Sequence, residues 1–177
     1  MAAATSRQDL FVSLTRNICK WWALGGGVVL FGLVAVNVVS VMMAALINKP
    51  VPGVYELVQM GAAISMFMAL PYCQVSGSNV TADIFTAGLK RRVIVFLGGI
   101  GALFGSAWAL FLLWRMSAGF EDVYEYQETT AIYQIPIWYA YVPVLVSLLL
   151  FALAAIANLI QAKQGKLPEE VEAGMSG

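Results

Sequence analysis

Histidine is absent from all 177 residues. That excludes bis-histidine haem, histidine-based metal sites and Ser–His or Cys–His nucleophile pairs. Cysteine occurs twice, as Cys19 and Cys73, with no CxxC spacing, so neither a disulfide framework nor a dithiol redox motif is available. Charge is scarce: Asp, Glu, Lys and Arg make up 11% of the chain, against roughly 25% in soluble domains. Net charge is zero, which leaves no bulk attraction for nucleic acid. With no metal-ligand cluster and no nucleophile pair, the chain reads as non-enzymatic and without a cofactor of its own.

What the sequence does have is apolar residues, 60% of the total, at a mean hydropathy of +0.80. They fall into four runs, at about 21–47, 54–73, 93–116 and 135–160. Each is long enough to cross ~30 Å of hydrocarbon as a helix of ~20 residues. None shows the period-two alternation of a barrel strand, and a spanning segment must satisfy its backbone internally, so helices are the remaining choice. The first run is longer than the 7–15 residues of a signal-peptide core and reads as a retained span. The expected fold is an all-α membrane protein: one four-helix domain over 1–165, then a short flexible tail over 166–177.

Basic residues set the expected orientation. Arg7, Arg16 and Lys20 precede the first run; Lys90, Arg91 and Arg92 lie between the second and third; Lys163 and Lys166 follow the fourth. Eight of the ten basic residues thus share one side, which the positive-inside rule makes cytoplasmic, with both termini. Both cysteines fall on that reducing side and are expected as free thiols. Trp21, Trp22, Trp114, Trp138, Tyr139 and Tyr141 lie near span ends, where an aromatic belt belongs.

Between the runs, three segments carry patterns. Leu10, Phe11, Leu14, Ile18, Trp21 and Trp22 recur at helical spacing among charged residues. They form either an amphipathic helix on the membrane surface or the wet first turns of span 1. Val80, Ile84, Phe85 and Leu89, with Asp83 early and Lys90–Arg92 late, suit a second short surface helix. The outer connection, about 117–134, is acidic and tyrosine-rich, with Glu121, Asp122, Glu125 and Glu128.

Candidate functional residues are few. Glu56, just after Gly53 at the start of span 2, is either a first-turn acid favoured by the helix dipole or a salt-bridge partner for another subunit. A cation-binding role is weaker, because nothing else ionisable is buried in a span. The other polar side chains within the spans are Asn37, Ser40, Gln59, Ser65, Ser106, Ser147 and Asn158. A carrier that moves a polar substrate through its own bundle needs ionisable midplane groups or broken helices; their lack favours a scaffolding subunit. Gly101 and Gly105 form a GxxxG stretch suited to packing within the bundle or to a dimer interface. Pro136, before Trp138, suits the first turn of the fourth helix.

Three places together resemble the small permease subunit (DctQ-like) of tripartite ATP-independent periplasmic (TRAP) transporters. They are Asn48-Lys49-Pro50 with Pro52-Gly53-Val54-Tyr55-Glu56-Leu57, then Gly77-Ser78-Asn79-Val80-Thr81-Ala82-Asp83, then Glu128-Thr129-Thr130-Ala131 with Ile135-Pro136-Ile137-Trp138. The chain departs from the family's habit at Met42-Met43-Ala44-Ala45 and at Ser78-Asn79, where basic groups are common. The resemblance implies a multi-pass protein of a bacterial inner membrane, in contact with phospholipid. It implies pairing with a large DctM-like subunit that holds the substrate and sodium sites. A DctP-like periplasmic binding protein would deliver an organic acid, imported with sodium. Glu121, Asp122, Glu125 and Glu128 then either dock that binding protein or stay solvated on the outer face. The other reading is a self-sufficient small homodimeric carrier, in which Glu56 would be the membrane carboxylate.

Overall fold

The computed structural model describes residues 2–76 and 91–163. Among them are four helices: α1 (Ala2–Ile47), α2 (Val54–Ser76), α3 (Arg91–Glu125) and α4 (Trp138–Lys163). All four are long and apolar enough to cross a membrane. At 1.5 Å per residue, α2 and α4 measure ~35 and ~39 Å, close to bilayer thickness, while α1 and α3 reach ~69 and ~52 Å and must extend past the hydrocarbon.

The residues before Trp21 are the first turns of α1 itself, not a separate surface helix. Leu10, Leu14 and Ile18 are exposed, while Thr15 and Cys19 turn inward. Cys19 packs with Val75 of α2 and Ala154 of α4, and this contact holds the long helix to the bundle. The short surface helix expected around Asp83, and the tail over 166–177, lie outside the described residues.

Helix ends follow local chemistry. α1 stops at Asn48, whose φ of 54° is left-handed and whose N–H reaches the Ala44 carbonyl at 3.1 Å, an αL cap followed by Pro50. α3 does not end near Met116, where the apolar run ends, but continues to Glu125. There Gln127 turns left-handed (φ 49°) and the Glu128 N–H closes on the Val123 carbonyl at 3.3 Å, a Schellman ending. The extra turns are held by packing: Val123 is buried, and the Phe120 and Tyr124 rings lie about 6 Å from those of Tyr141 and Trp138 on α4.

α2 packs against both α1 and α4, and α3 packs chiefly against α4, touching α2 where Ala109 meets the cluster that Leu70 joins. Close approach of α1 and α2 depends on small residues. A Cβ at Gly26 would lie 2.8 Å from Met68 Cβ and 3.1 Å from the Ser65 carbonyl oxygen, and one at Gly61 would meet Leu33 at 2.7 Å. Trp22 Nε1–H donates to Ser147 Oγ at 2.9 Å, and that hydroxyl donates to the Pro143 carbonyl at 2.6 Å, which links α1 to α4. Pro71 and Pro143 each remove one rung from their helices. Exposed apolar side chains cover the outer faces of α1 and α3, including Val28, Phe31, Leu46, Phe104 and Trp114, as expected of surfaces that meet hydrocarbon or another membrane subunit.

Candidate functional site

The connections 48–53 and 126–137 meet at one end of the bundle, and Glu56 joins them. Its Oε1 accepts the Ile132 N–H at 2.8 Å and its Oε2 accepts the Tyr133 N–H at 3.2 Å. The carboxylate therefore binds two consecutive backbone donors of a loop 76 residues away in sequence. Charge-assisted bonds of this kind are stronger than neutral ones. None of the roles read for Glu56 from the sequence included this contact.

Gly53 makes the contact possible in two ways. Its φ of +73° is strained for any residue with a side chain, and its carbonyl accepts the Glu56 N–H at 3.1 Å to start α2. A Cβ there would lie 2.5 and 2.7 Å from two ring carbons of Tyr133. Gly53 therefore holds the backbone turn that presents Glu56 and leaves the space in which the Tyr133 ring lies.

The captured loop is a miniature hairpin. The Thr130 N–H donates to the Ile135 carbonyl (3.0 Å), the Ile137 N–H to the Glu128 carbonyl (3.0 Å), and the Ile135 N–H to Thr130 Oγ1 (3.1 Å). Thr129 and Pro136 face each other as an antiparallel bridge. Pro136 thus belongs to this bridge and not to the first turn of α4, which begins at Trp138. The N–H groups of Ile135 and Ile137 are already committed to the hairpin, and the Pro136 carbonyl accepts the Tyr139 N–H at 3.2 Å to open the helix.

Beneath the hairpin lies a cleft of about 420 Å³. Glu56, Gln59 and Thr130 supply its polar lining, and Met60, Phe67 and Met116 are among its apolar lining. The Trp138 ring packs 4.1 Å from Tyr139 and edge-on to Tyr124 at 6.0 Å, which fixes the start of α4 against the end of α3. Glu121, Asp122, Glu125 and Glu128 are all exposed at this end. The first three stand on the last turns of α3 and only Glu128 on the loop, so the acids sit on a rigid support.

The remaining candidates lie apart from this end. A Cβ at Gly105 would come 3.0 Å from Gln74 Nε2, so Gly105 serves contact between α3 and α2, whereas Gly101 faces open space. Asp83 is outside the described residues. Among the described residues no three His, Cys, Asp or Glu side chains gather as a metal site, and both cysteines are free. The buried polar side chains among them, Thr15, Ser40, Ser65, Gln74, Ser76 and Ser147, are all neutral. Ile132 and Tyr133 were missed from sequence because they act through backbone N–H groups, and Thr130, though part of a recognised stretch, was given no role because a common hydroxyl has no distinctive signature.

A family model described as "Tripartite ATP-independent periplasmic transporters, DctQ component" matches residues 33–165. The match takes in the α1–α2 connection, the Glu56 contact and the hairpin. No curated protein and no solved structure matches the chain.

Proposed function

Because the chain belongs to the DctQ family of TRAP transporter components, we propose that it is the scaffold subunit of a sodium-coupled importer of an organic acid. It lies in a bacterial inner membrane with both termini in the cytoplasm. Its partners are a DctM-like large subunit, which holds the substrate and sodium sites, and a DctP-like periplasmic protein, which delivers the acid. In this orientation the Glu56–hairpin end faces the periplasm, and the exposed acids of α3 offer the binding protein a charged rim.

The observation that carries this reading is the neutral interior of the bundle. Each buried polar side chain among the described residues is uncharged. A pathway for an ion or an organic anion needs ionisable groups or unwound backbone at its midplane. Glu56 stands in the first turn of α2, at the end of the bundle rather than its midplane, with both carboxylate oxygens bonded to the hairpin backbone. That favours a scaffold over the homodimeric carrier.

Reconstitution tests the proposal. Liposomes holding this chain with the large subunit, supplied with binding protein and a sodium gradient, take up the organic acid. Liposomes holding either membrane subunit alone do not. Sodium-dependent uptake by this chain alone would overturn the scaffold assignment.

A further inference from the structure

Most polar side chains within the spans have partners or lie near an end. Ser40 Oγ accepts the Val51 N–H at 3.2 Å, Ser65 donates to the Gly61 carbonyl at 2.8 Å, and Ser106 to that of Leu103 at 2.8 Å. Ser147 bridges Trp22 and Pro143, and Asn158 donates to the Gln74 carbonyl. Gln59 lies at the cleft, within two turns of the start of α2.

Asn37 differs. Its side chain is exposed and makes no hydrogen bond among the described residues. It lines a groove of about 480 Å³ between α1 and α2, whose walls are otherwise apolar: Leu30, Leu33, Val34, Val41, Val58 and Ala62 among them. Ten residues separate it from Ile47 at the end of α1. That is ~15 Å of helix, half the thickness of a ~30 Å hydrocarbon core. A primary amide at this depth has no water to bond, and an acyl chain offers neither donor nor acceptor. The opposite face of α1, with Val28, Val39 and Leu46 exposed, is uniformly apolar and suits lipid.

We infer that the α1–α2 groove around Asn37 is the seat of a transmembrane helix of the large subunit, which presents a hydrogen-bonding side chain such as Ser, Thr, Asn or Gln to the Asn37 amide. The inference rests on the proposed pairing with that subunit and adds where the contact lies. Interhelical polar contacts of this type give register to apolar seams that van der Waals packing alone leaves free to slide. The groove supplies the seam, and Asn37 supplies the register.

The test uses the intact complex purified from membranes. A photoreactive benzophenone side chain placed at Val41, on the groove, cross-links to the large subunit, while one placed at Val39, on the opposite face, gives only lipid adducts. Asn37→Leu keeps the volume but removes the amide, and it weakens retention of the large subunit about threefold. Asn37→Gln restores most of that retention. The helicity and melting of the isolated chain stay unchanged in both variants, because Asn37 makes no hydrogen bond among the described residues. Equal cross-linking from both faces, a cross-link between two copies of this chain, or undiminished retention in Asn37→Leu would overturn the inference while leaving the subunit assignment standing. If the unmodified chain purifies with no large partner, the assignment itself fails and the inference fails with it.

Discussion

Replacing Gly53 with alanine tests the loop-end architecture most sharply, because two separate penalties meet at one atom. The backbone at Gly53 has φ +73°, a left-handed conformation that costs an L-residue about 1–2 kcal/mol. The added Cβ would also sit 2.5 Å from the Tyr133 ring, and relieving such an overlap costs about 1–3 kcal/mol. Together Gly53→Ala should lose about 2–5 kcal/mol in thermal or denaturant unfolding of the purified chain in detergent. The two parts separate in a double-mutant cycle. With Tyr133→Ala the ring is gone and only the backbone term of about 1–2 kcal/mol remains, so the two substitutions should couple by about 1–3 kcal/mol. Additive losses would show that Tyr133 does not occupy the space over Gly53. A Gly53→Ala variant as stable as the parent would refute the left-handed turn as well.

Three further outcomes follow from the structure. Glu56→Gln keeps an acceptor for one hairpin N–H but turns an amide donor toward the other, so hydrogen exchange at Ile132 and Tyr133 should accelerate; unchanged exchange would remove the carboxylate from the loop. Gly105→Val should destabilise by about 1–3 kcal/mol through Gln74, whereas Gly101→Val, facing open space, should stay within about 0.5 kcal/mol; equal effects in melting experiments would contradict the packing of α3 on α2. A maleimide should label half-buried Cys73 in the folded chain and reach fully buried Cys19 only on unfolding; fast labelling of Cys19 would mean that the N-terminal turns of α1 do not pack on α2 and α4.

The spans were legible in the sequence because hydrocarbon leaves a chain few options: long apolar runs without alternation have to be helices. Gly53, Glu56, Glu128 and Pro136 were legible as residues of interest, but what joins them was not. Glu56 is paired with peptide N–H groups, which every residue but proline carries, across 76 positions of sequence. The end of α3 was misplaced for a different reason. The apolar run ends near 116 and acidic residues follow, so the segment read as a loop, and Glu121, Asp122 and Glu125 also stand where the helix dipole disfavours acids. Buried Val123 and the Phe120 and Tyr124 rings against α4 outweigh that local preference. Pro136 suited a first helical turn by its missing N–H, yet the hydrogen bonds of its neighbours Ile135 and Ile137 place it in the hairpin.

The central claim, that this chain is a scaffold which works only with a larger membrane subunit, is tested most directly by purifying the tagged chain from its native membrane in mild detergent and weighing what comes with it. A stoichiometric partner with many more spans than this chain is the predicted result. A stable monomer or homodimer, active in transport without any such partner, would contradict the account.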